Sequence, residues 1–302
     1  MQISTPEQLA FFDLPAVQRF VARIKPIDHP IWTENKAKLI ERYLYYFVLV
    51  TKHGNYIDGF AGPQQPDKPD TWAAKLVLEI EPKWLRKFFL FDNDPGQADH
   101  LERLKCETDA STRGEESARI IEVKKADFNK AVHSLLASGQ IGEAEATFCL
   151  LDQRTFECRW STLEALAKHQ KRRFKIELFY FVPMKWIDRA LAAQRDRSVI
   201  EAWWGRRDWE ELRNRRGQER AQYFCERVRD ELGYNSVLAW PIRERSSGGS
   251  VMYYMHHATD HPVAPNLMSR AYRQAVSPKE DPEQFSLEFQ QWMSVNRVAG
   301  LD

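Results

Sequence analysis

The 302-residue sequence predicts an α/β fold: a doubly wound, mostly parallel, Rossmann-like sheet with a C-terminal antiparallel hairpin and extra helices. Between residues 55 and 185, short apolar runs alternate with stretches of helical spacing, which is typical of right-handed βαβ units. Two later strand-like runs are joined by a loop with two glycines, which favours an antiparallel pair. The content of 43% hydrophobic and 29% charged residues excludes a disordered chain.

Five parallel strands are predicted, separated by helices. The strands lie within residues 55–63, 86–92, 118–123, 146–151 and 175–182. The helices lie at residues 14–24, 34–50, 71–82, 97–105, 128–137 and 160–169. In the second helix, Leu39, Tyr43, Phe47 and Val50 form one apolar stripe. Prolines at positions 63, 66 and 69 delay the third helix until a cap at Asp70 or Thr71.

The pattern changes after residue 185. Helices rich in Arg and Glu are predicted at residues 184–195 and 206–232, the hairpin strands at 236–243 and 250–257, and two helices at 261–275 and 283–298. The chain therefore divides into an N-terminal helical segment (1–54), a Rossmann-like cofactor-binding core (55–185), an Arg-rich helical insertion (186–235) and a hairpin with helices that completes the same domain (236–302).

The net charge of +1 conceals a basic central region. Residues 154–245 carry 21 basic and 14 acidic side chains, and 17 of the basic residues are Arg. The near-neutral net charge therefore does not exclude a polyanionic partner. The acidic residues interleaved among the arginines also fit a solvated, salt-bridged helix. The four cysteines form no C-x-x-C pair, and the sequence has neither a signal-peptide pattern nor an apolar run of about 20 residues. We expect reduced thiols and a cytoplasmic protein without a membrane segment.

A glycine-containing loop, DGFAGP, follows the first predicted strand over residues 58–63. Ligands of open α/β sheets bind at the carboxyl ends of the strands, where the strand order reverses. Gly59 and Gly62 would allow a close backbone approach, and Asp58 would accept hydrogen bonds from an ammonium group or water. The spacing lacks the third glycine of a dinucleotide site, which disfavours a nicotinamide-dependent oxidoreductase, and lacks a P-loop. A plain strand-to-loop turn explains the glycines equally well.

Acidic residues follow the second and third predicted strands. Asp92 comes directly after an apolar run, where a carboxylate can accept both ribose hydroxyls of a nucleoside. Asp94 precedes Pro95 and suits a helix cap, and a capped turn is the alternative for this segment. In sites for S-adenosylmethionine (SAM), a pair such as Asp127 and Phe128 commonly contacts the adenine. Asp127 can also be the N-cap of the next helix, and this role is compatible with a contact to the adenine.

The end of the fourth predicted strand is the candidate reaction site, because it lies beside the first strand across the switch point. Six of the ten residues from 151 to 160 are polar or charged, which stability does not require there. The candidate catalytic residues are Asp152, Arg154, Phe156 and Glu157. Cys158 is an alternative as a nucleophile, although no histidine lies close to it in the sequence.

The segment MHHATDHP, residues 255–262, does not predict a metal site despite its three histidines. Adjacent His256 and His257 on a strand point to opposite faces, so at most one of them can join Asp260 and His261. His261 is instead expected near the start of the next helix, with Asp260 near its cap. We predict no metal centre.

These segments together resemble the three-Cys-motif partner family (TcmP), bacterial proteins with a class I SAM-dependent methyltransferase-like fold. The most specific part of the resemblance is YIDGFAGP at residues 56–63. It extends to the lysine-containing helix at 34–50, the segment 151–160, the fifth strand ending near Phe181, and MYYMHHATDHP at 252–262. The family is named for a companion protein with a radical-SAM-type three-cysteine cluster, not for its own cysteines.

The resemblance implies a class I methyltransferase type of sheet, SAM as cofactor and a three-Cys, radical-SAM-type companion as partner. The residues expected to bind the cofactor are Asp58, Gly59, Phe60, Ala61, Gly62, Pro63, Asp92, Asp94, Asp127 and Phe128. Asp152 would orient the acceptor, with the other candidate catalytic residues beside it.

Nucleic acid is the acceptor under one hypothesis, with phosphates on the arginine-rich segment and an unpaired base stacked on tryptophan. The residues of this contact would be Trp203, Trp204, Arg206, Arg207, Arg213, Arg215 and Arg216. A non-catalytic accessory partner with a methyltransferase-like fold is the alternative. Two departures from the family pattern favour it: Gln64 stands where the family usually has glycine, and DQRTF at 152–156 replaces the Asp/Asn-Pro-Pro-aromatic sequence of amino-methyltransferases that act on nucleic acid.

Overall fold

The computed structural model describes residues 31–32, 36–111, 119–170, 172–192, 197–245 and 248–276. The helices predicted over residues 14–24 and 283–298 lie outside these ranges. The described residues form an α/β fold around an eight-stranded sheet with helices on both faces. The prediction of a doubly wound, mostly parallel sheet with a C-terminal antiparallel hairpin is confirmed.

The eight strands agree closely with the predicted positions, apart from an additional two-residue strand at the start. Their bounds are β1 Ile31–Trp32, β2 Gly54–Asp58, β3 Leu85–Asp92, β4 Ile120–Lys125, β5 Thr147–Leu151, β6 Glu177–Pro183, β7 Ser236–Arg245 and β8 Gly248–Thr259. Their spatial order is β1-β7-β8-β6-β5-β2-β3-β4, and only the pairings made by β8 are antiparallel.

The strand order reverses at β2, which pairs with β3 on one side and with β5 on the other. The chain runs outward from β2 through β3 to β4 and then returns to β5. Such a reversal opens a crevice at the carboxyl ends of the central strands. Every residue of β2 and β5 is buried, as expected of parallel strands that are covered on both faces.

The part of the chain that the structure describes contains nine α-helices and two 3₁₀ helices. The α-helices are α1 Lys36–Thr51, α2 Ala73–Leu78, α3 Pro95–Ser111, α4 Phe128–Ala137, α5 Trp160–His169, α6 Met184–Ala192, α7 Ser198–Trp204, α8 Gln218–Leu232 and α9 Ala264–Val276. The 3₁₀ helices are Pro69–Thr71 and Arg207–Asn214. Helices α4 and α5 have the predicted bounds.

Apolar side chains form one buried cluster on each face of the sheet. Helices α4 to α8 contribute to the first cluster, and α1, α2, α3 and α9 contribute to the second. Alternate residues of one strand enter opposite clusters: Tyr180 of β6 joins the first, whereas Phe179 and Phe181 join the second. Two-sided burial explains why the strands are apolar at nearly every position.

Helix α1 carries the predicted stripe. Leu39, Tyr43 and Phe47 are buried in the second cluster, while Val50 is half-buried at its edge. Lys36, the first residue of the helix, is also buried. A buried lysine needs a partner for its charge, and its surroundings are described with the site below.

The predicted helix over residues 206–232 is two separate helices. Arg207–Asn214 is a 3₁₀ helix, and α8 begins only at Gln218. Between them Gly217 has a φ of 48°, a left-handed conformation that interrupts a helix and that glycine adopts at little cost. Helix α7 is an addition to the prediction. It ends at Gly205, where a Cβ atom would lie 2.6 Å from the Trp160 side chain.

The helix after the proline-rich loop begins later than predicted. Neither Asp70 nor Thr71 caps it, because both belong to the 3₁₀ helix, and Trp72 is the N-cap residue of α2. The indole Nε1 of Trp72 donates a hydrogen bond of 2.6 Å to the carbonyl of Ala61. This bond ties the start of α2 to the loop after β2.

None of the helices in the described ranges is long and apolar enough to cross a membrane. All four cysteines are free thiols. Cys106 is exposed, whereas the other three are buried in the first cluster.

Candidate functional site

A cavity of about 860 Å³ lies at the carboxyl ends of the central strands, beside the switch point. The loops after β2, β3, β4 and β5 line it, together with the first turns of α7. Seven of the ten predicted cofactor-binding residues and all four predicted catalytic residues line this cavity. They are Gly59, Phe60, Gly62, Asp92, Asp94, Asp127, Phe128, Asp152, Arg154, Phe156 and Glu157.

A second cavity, of about 50 Å³, shares Phe60, Gly62, Gln64 and Asp152 with the large one. Asp58 and Ala61, two more predicted cofactor-binding residues, line this small cavity, whereas Pro63 lines neither. Lys36 also lines it. The two cavities therefore adjoin each other at the loop after β2.

Asp58 is a buried carboxyl group at the end of β2. Tyr56 Oη donates a hydrogen bond of 2.8 Å to one oxygen, and the Phe60 backbone N–H donates one of 3.1 Å to the other. Burial raises the pKa of Asp58 to about 7, and these two hydrogen bonds oppose the rise. Asp58 therefore changes its protonation state near neutral pH.

The loop after β2 requires glycine at positions 59 and 62, because neighbouring side chains approach its backbone closely. A Cβ on Gly59 would lie 2.7 Å from the Phe128 ring, and a Cβ on Gly62 would lie 2.5 Å from Asp92 Oδ2. Real Cβ atoms do not come this close to other heavy atoms. The absence of side chains here lets the β2 loop pack directly against the residues that follow β3 and β4.

Asp92 organises the turn after β3. Its oxygens accept hydrogen bonds from the backbone N–H groups of Gly62 (3.0 Å) and Asp94 (2.9 Å). Asp94 in turn accepts a 2.9 Å bond from the Gln97 N–H, so it caps α3 as the alternative reading of this segment expected. Both acids line the cavity, but only Asp92 links the β2 and β3 loops.

The residues after β4 combine a cap with packing. Asp127 is the N-cap of α4 and accepts a 3.0 Å hydrogen bond from the Asn129 N–H. Phe128 is 2% exposed, and its ring centroid lies 5.0 Å from that of Phe91. Phe128 therefore belongs to the first cluster and offers the cavity only a small part of its surface.

Asn129 is a site residue that sequence reasoning missed. Its amide nitrogen donates to Asp127 (3.0 Å) and to the carbonyl of Glu157 (2.8 Å), and its oxygen accepts 2.8 Å bonds from Arg159 N–H and Thr162 Oγ1. These bonds join the loop after β4 to the loop after β5. The only signal in the sequence is an amide two positions after a helix cap.

Asp152 and Lys36 form an ion pair at the boundary of the two cavities. Lys36 Nζ lies 2.6 Å from Asp152 Oδ1, and the two side chains are only 7% and 13% exposed. The ammonium group also lies 4.8 Å from the ring centroid of Phe181 and 5.5 Å from that of Tyr253. Nothing in the spacing of α1 singles out this lysine, so the pair was not predicted.

The loop after β5 is held by its own side chains. Gln153 is fully buried, donates to the carbonyl of Phe181 and accepts from the Cys158 N–H, both at 2.9 Å. Glu157 accepts bonds from the N–H groups of Arg154 (2.6 Å) and Thr155 (3.2 Å). The side chain of Glu157, a predicted catalytic residue, thus shapes the loop.

The predicted stacking of a base on the tryptophan pair does not fit the structure. Trp203 and Trp204 are 1% and 0% exposed and pack in the first cluster against Phe224. Their positions on α7 direct both indoles inward. Burial of these two large apolar side chains stabilises the fold, which explains why they are not available to stack on a base.

The arginine-rich segment is partly neutralised. Arg206 pairs with Asp208 and Glu231, and Arg215 pairs with Glu211. Arg207, Arg213 and Arg216 are exposed. None of these five predicted nucleic-acid contacts lines the cavity. The interleaved acids form the salt bridges that the alternative reading expected.

His256, His257 and Cys158 are buried. His256 Nε2 lies 3.0 Å from the carbonyl of Ala221, and burial lowers the pKa of His256 to about 4. His257 Nε2 lies 2.8 Å from Glu177. Burial raises the pKa of the Cys158 thiol, which disfavours a nucleophilic role. Within the described ranges, no group of three or more His, Cys, Asp or Glu residues is arranged to hold a metal ion.

Strand order, switch point and cavity define a doubly wound α/β protein with a cavity at the usual ligand position of that fold. No family model matches the sequence, and no curated protein matches it. Among solved structures, a protein of family DUF519 from Legionella pneumophila str. Philadelphia 1 is similar, with 9% identity and a TM-score of 0.46, over 83% of this chain and 95% of that chain. So distant a similarity supports no inference about function.

Proposed function

We propose that this chain binds SAM in the large cavity and transfers its methyl group to an amine of a nucleic acid. This is the activity implied by the resemblance to the three-Cys-motif partner family and its class I methyltransferase type of sheet. The observation that supports it most is that residues predicted from four separate loops line a single cavity at the switch point. The carboxyl ends of the parallel strands meet at this edge of the sheet, which is the usual ligand position of the fold.

The ribose end of such a cofactor has suitable partners. Each Asp92 oxygen accepts one backbone N–H, which leaves a lone pair on each for a hydroxyl group. Gln97 lines the cavity, and its buried Oε1 has no hydrogen-bond partner in the described part of the chain. A buried polar atom without a partner is costly, and a ligand hydroxyl would satisfy it. Asp92 and Gln97 would therefore hold the ribose.

The amino-acid end of the cofactor fits the small cavity. An amino acid carries an ammonium and a carboxylate: Asp58 would accept a hydrogen bond from the ammonium, and Lys36 would bind the carboxylate. Asp127 and Phe128 would contact the adenine at the end of β4, with Asp127 accepting from the exocyclic amine.

Methyl transfer needs alignment more than acid–base chemistry. When bound, SAM supplies an electrophilic methyl group. Asp152 is held through Oδ1 by Lys36, and its Oδ2 has no partner among the described residues. Asp152 Oδ2 would accept a hydrogen bond from the acceptor amine and direct the nitrogen lone pair toward the cofactor.

The missing prolines after β5 do not leave the loop without support. Prolines would restrict the backbone directly, whereas here Gln153, Glu157 and Asn129 hold the loop through at least six hydrogen bonds. These hydrogen bonds would hold Asp152 and Phe156 in position where the family pattern uses prolines. The departure from the family pattern is therefore compatible with activity.

Isothermal titration calorimetry with SAM and with its demethylated product tests the proposal. We expect saturable binding that weakens by about tenfold or more in Asp92→Asn, because a hydrogen bond to a charged group is lost. Asp99→Asn, an exposed aspartate on α3, is the matched control and should bind normally. Absence of binding by the wild type at millimolar ligand would overturn the proposal, and unchanged affinity in Asp92→Asn would remove the ribose role.

A non-catalytic accessory protein is the second candidate, in which the fold supports a three-Cys, radical-SAM-type companion. One observation favours it: Asp58 and Asp92 already have hydrogen-bond partners within the chain, so both loops are ordered without a ligand. Size-exclusion chromatography of the chain mixed with such a companion, with and without SAM, separates the two. A complex formed by a chain that binds no SAM would favour the accessory role.

A further inference from the structure

The large cavity has a group of lining residues that the cofactor roles above do not use. Arg154, Phe156 and Arg159 come from the loop after β5, and Val199 and Ala202 come from α7. The ring of Phe156 lies 5.0 Å from that of Trp203, so the loop and the helix are in contact. We call these five residues the β5–α7 wall.

The two arginines of the β5–α7 wall are free of acidic partners. Both are exposed, and neither guanidinium forms an ion pair or a hydrogen bond with any residue that the structure describes. Of the two acids closest in sequence, Asp152 pairs with Lys36, and Glu157 accepts two backbone N–H groups at Oε2. By contrast, Arg206 and Arg215 in the helical segment pair with acids. Unpaired arginines in a cavity are ready to bind an anion in bidentate fashion.

The α7 side of the β5–α7 wall is apolar and open. Val199 lines the cavity and is 52% exposed, so most of its side chain is accessible to a ligand. Ala202 lies three residues further on, on the same side of the helix. The α7 residues that line the cavity are uncharged, and Phe156 of the loop after β5 is half-buried. Phe156 and Val199 therefore both offer apolar surface to a group that enters the cavity.

We propose that the β5–α7 wall is the acceptor subsite and that it takes one unpaired nucleotide of a single-stranded nucleic acid. Arg154 and Arg159 would bind phosphates flanking the nucleotide, and Phe156 and Val199 would contact the faces of the base. The exocyclic amine of the base would then reach Asp152. This assignment rests on the proposed function, and it moves the nucleic-acid contact from the helical segment to the cavity.

A base inside a duplex cannot enter such a wall without being unstacked and unpaired. Single strands should therefore bind more tightly than duplexes of the same sequence. Phosphate contacts contribute a salt-dependent part of the affinity, and stacking contributes a part that is nearly independent of salt. The contribution of the two arginines to the affinity can therefore be distinguished from that of Phe156 by its dependence on salt.

Fluorescence anisotropy with a labelled single-stranded RNA or DNA of about 12 nucleotides provides the test, in a salt titration. Arg154→Gln with Arg159→Gln should lower the slope of log affinity against log salt by about 1.4, since each phosphate contact on a single strand contributes about 0.7. The matched control is Arg213→Gln with Arg216→Gln, which removes the same charge from exposed positions outside the cavity. Its slope should change less.

Phe156→Ala provides an independent arm. It should weaken binding about fivefold or more at fixed salt while leaving the slope unchanged, because it removes stacking rather than charge. Calorimetry with the demethylated cofactor on the same preparations shows whether the cofactor site is intact. Cofactor binding that persists in all variants separates a failure of this assignment from a failure of the proposed function.

Three results would overturn the assignment. The first is no binding of either single strand at low salt by a protein that binds the cofactor. The second is an equal or larger change of slope in the control pair, which would return the contact to the helical segment. The third is tighter binding of a duplex than of the single strand, which a flipped nucleotide does not permit.

Discussion

Helix α1 makes two buried polar contacts with the sheet that are alike in chemistry and different in surroundings. Near its start, Lys36 pairs with Asp152 at the carboxyl end of β5. Two turns later, the Tyr43 hydroxyl donates to Glu177 at the beginning of β6. The first contact opens on the cavities, whereas the second is closed within the second cluster. One helix thus serves both the site and the core.

The two acids differ in how completely their oxygens are used. Glu177 binds three groups: the Tyr43 hydroxyl, His257 at 2.8 Å and the Thr259 hydroxyl at 2.9 Å. Burial alone would raise its pKa, but His257 and the hydrogen bonds lower the pKa of Glu177 below its ordinary value. Asp152 has one oxygen without a partner among the described residues. A saturated buried acid stabilises the fold, while an unsaturated one retains capacity for a ligand.

The largest effect is expected at the saturated acid. Glu177→Ala leaves Tyr43, His257 and Thr259 buried without their acceptor, so the free energy of unfolding should fall by about 3–5 kcal/mol. Urea denaturation followed by circular dichroism measures it. Glu164→Ala, which breaks a pair with Lys168 on the surface of α5, should cost about 1 kcal/mol or less. Equal losses in the two variants would show that the Glu177 network contributes no more than a surface pair.

A third buried acid, Asp58, should make the free energy of unfolding depend on pH. Its pKa is about 7 in the folded chain and 3.8 ordinarily, so between these values the folded state holds a proton that the unfolded state has released. Stability must therefore fall as pH rises, by about 2–3 kcal/mol from this group between pH 5 and pH 8. Asp58→Asn, which resembles the protonated form, should remove that part of the fall.

Chemical denaturation at several pH values measures this difference. Asp99→Asn, at an exposed position, should keep the wild-type profile. If the wild type and Asp58→Asn lost stability in parallel across this range, Asp58 would be ionised in the folded chain throughout. The small cavity would then contain a charged acid at neutral pH.

Much of the fold follows from local sequence patterns. Helices α4 and α5 begin after polar residues and run over amphipathic segments, so both of their ends could be predicted. The split of residues 206–232 was not predicted, because an α-helix and a 3₁₀ helix share a similar periodicity. The extended backbone of Arg215 and the positive φ of Gly217 divide the two helices. Helix α7 is short, and its burial depends on contacts with distant elements.

The loops of the candidate site were predictable because they end apolar strands of a parallel sheet, whose carboxyl ends meet. The contacts between loops were not. Lys36 and Asp152 are separated by 116 residues, and Asn129 joins segments about 30 residues apart. Such pairs are set by the packing of α1 and α4, which no short motif encodes. The tryptophans were misassigned for the same reason, since α7 turns them inward.

A smaller effect on stability than that of Glu177→Ala is expected at the Lys36–Asp152 contact. Lys36→Met keeps the apolar stem against Phe181 and Tyr253 and removes the charge. Asp152 can then take water from the cavities, so the free energy of unfolding should fall by only about 1–2 kcal/mol, less than for Glu177→Ala. The same urea denaturation measures it, with Lys38→Met on the exposed side of α1 as the control.

A large loss in Lys36→Met, comparable with that of Glu177→Ala, would contradict the distinction between an open and a closed contact. The Lys36–Asp152 pair would then be a structural element of the sheet edge. A small loss accompanied by weaker binding of the demethylated cofactor would place the lysine at the amino-acid end of the ligand, because a missing cation leaves the cofactor carboxylate unpaired. Lys36→Arg keeps the positive charge and should restore most of that binding, whereas a purely steric role would not permit the bulkier side chain.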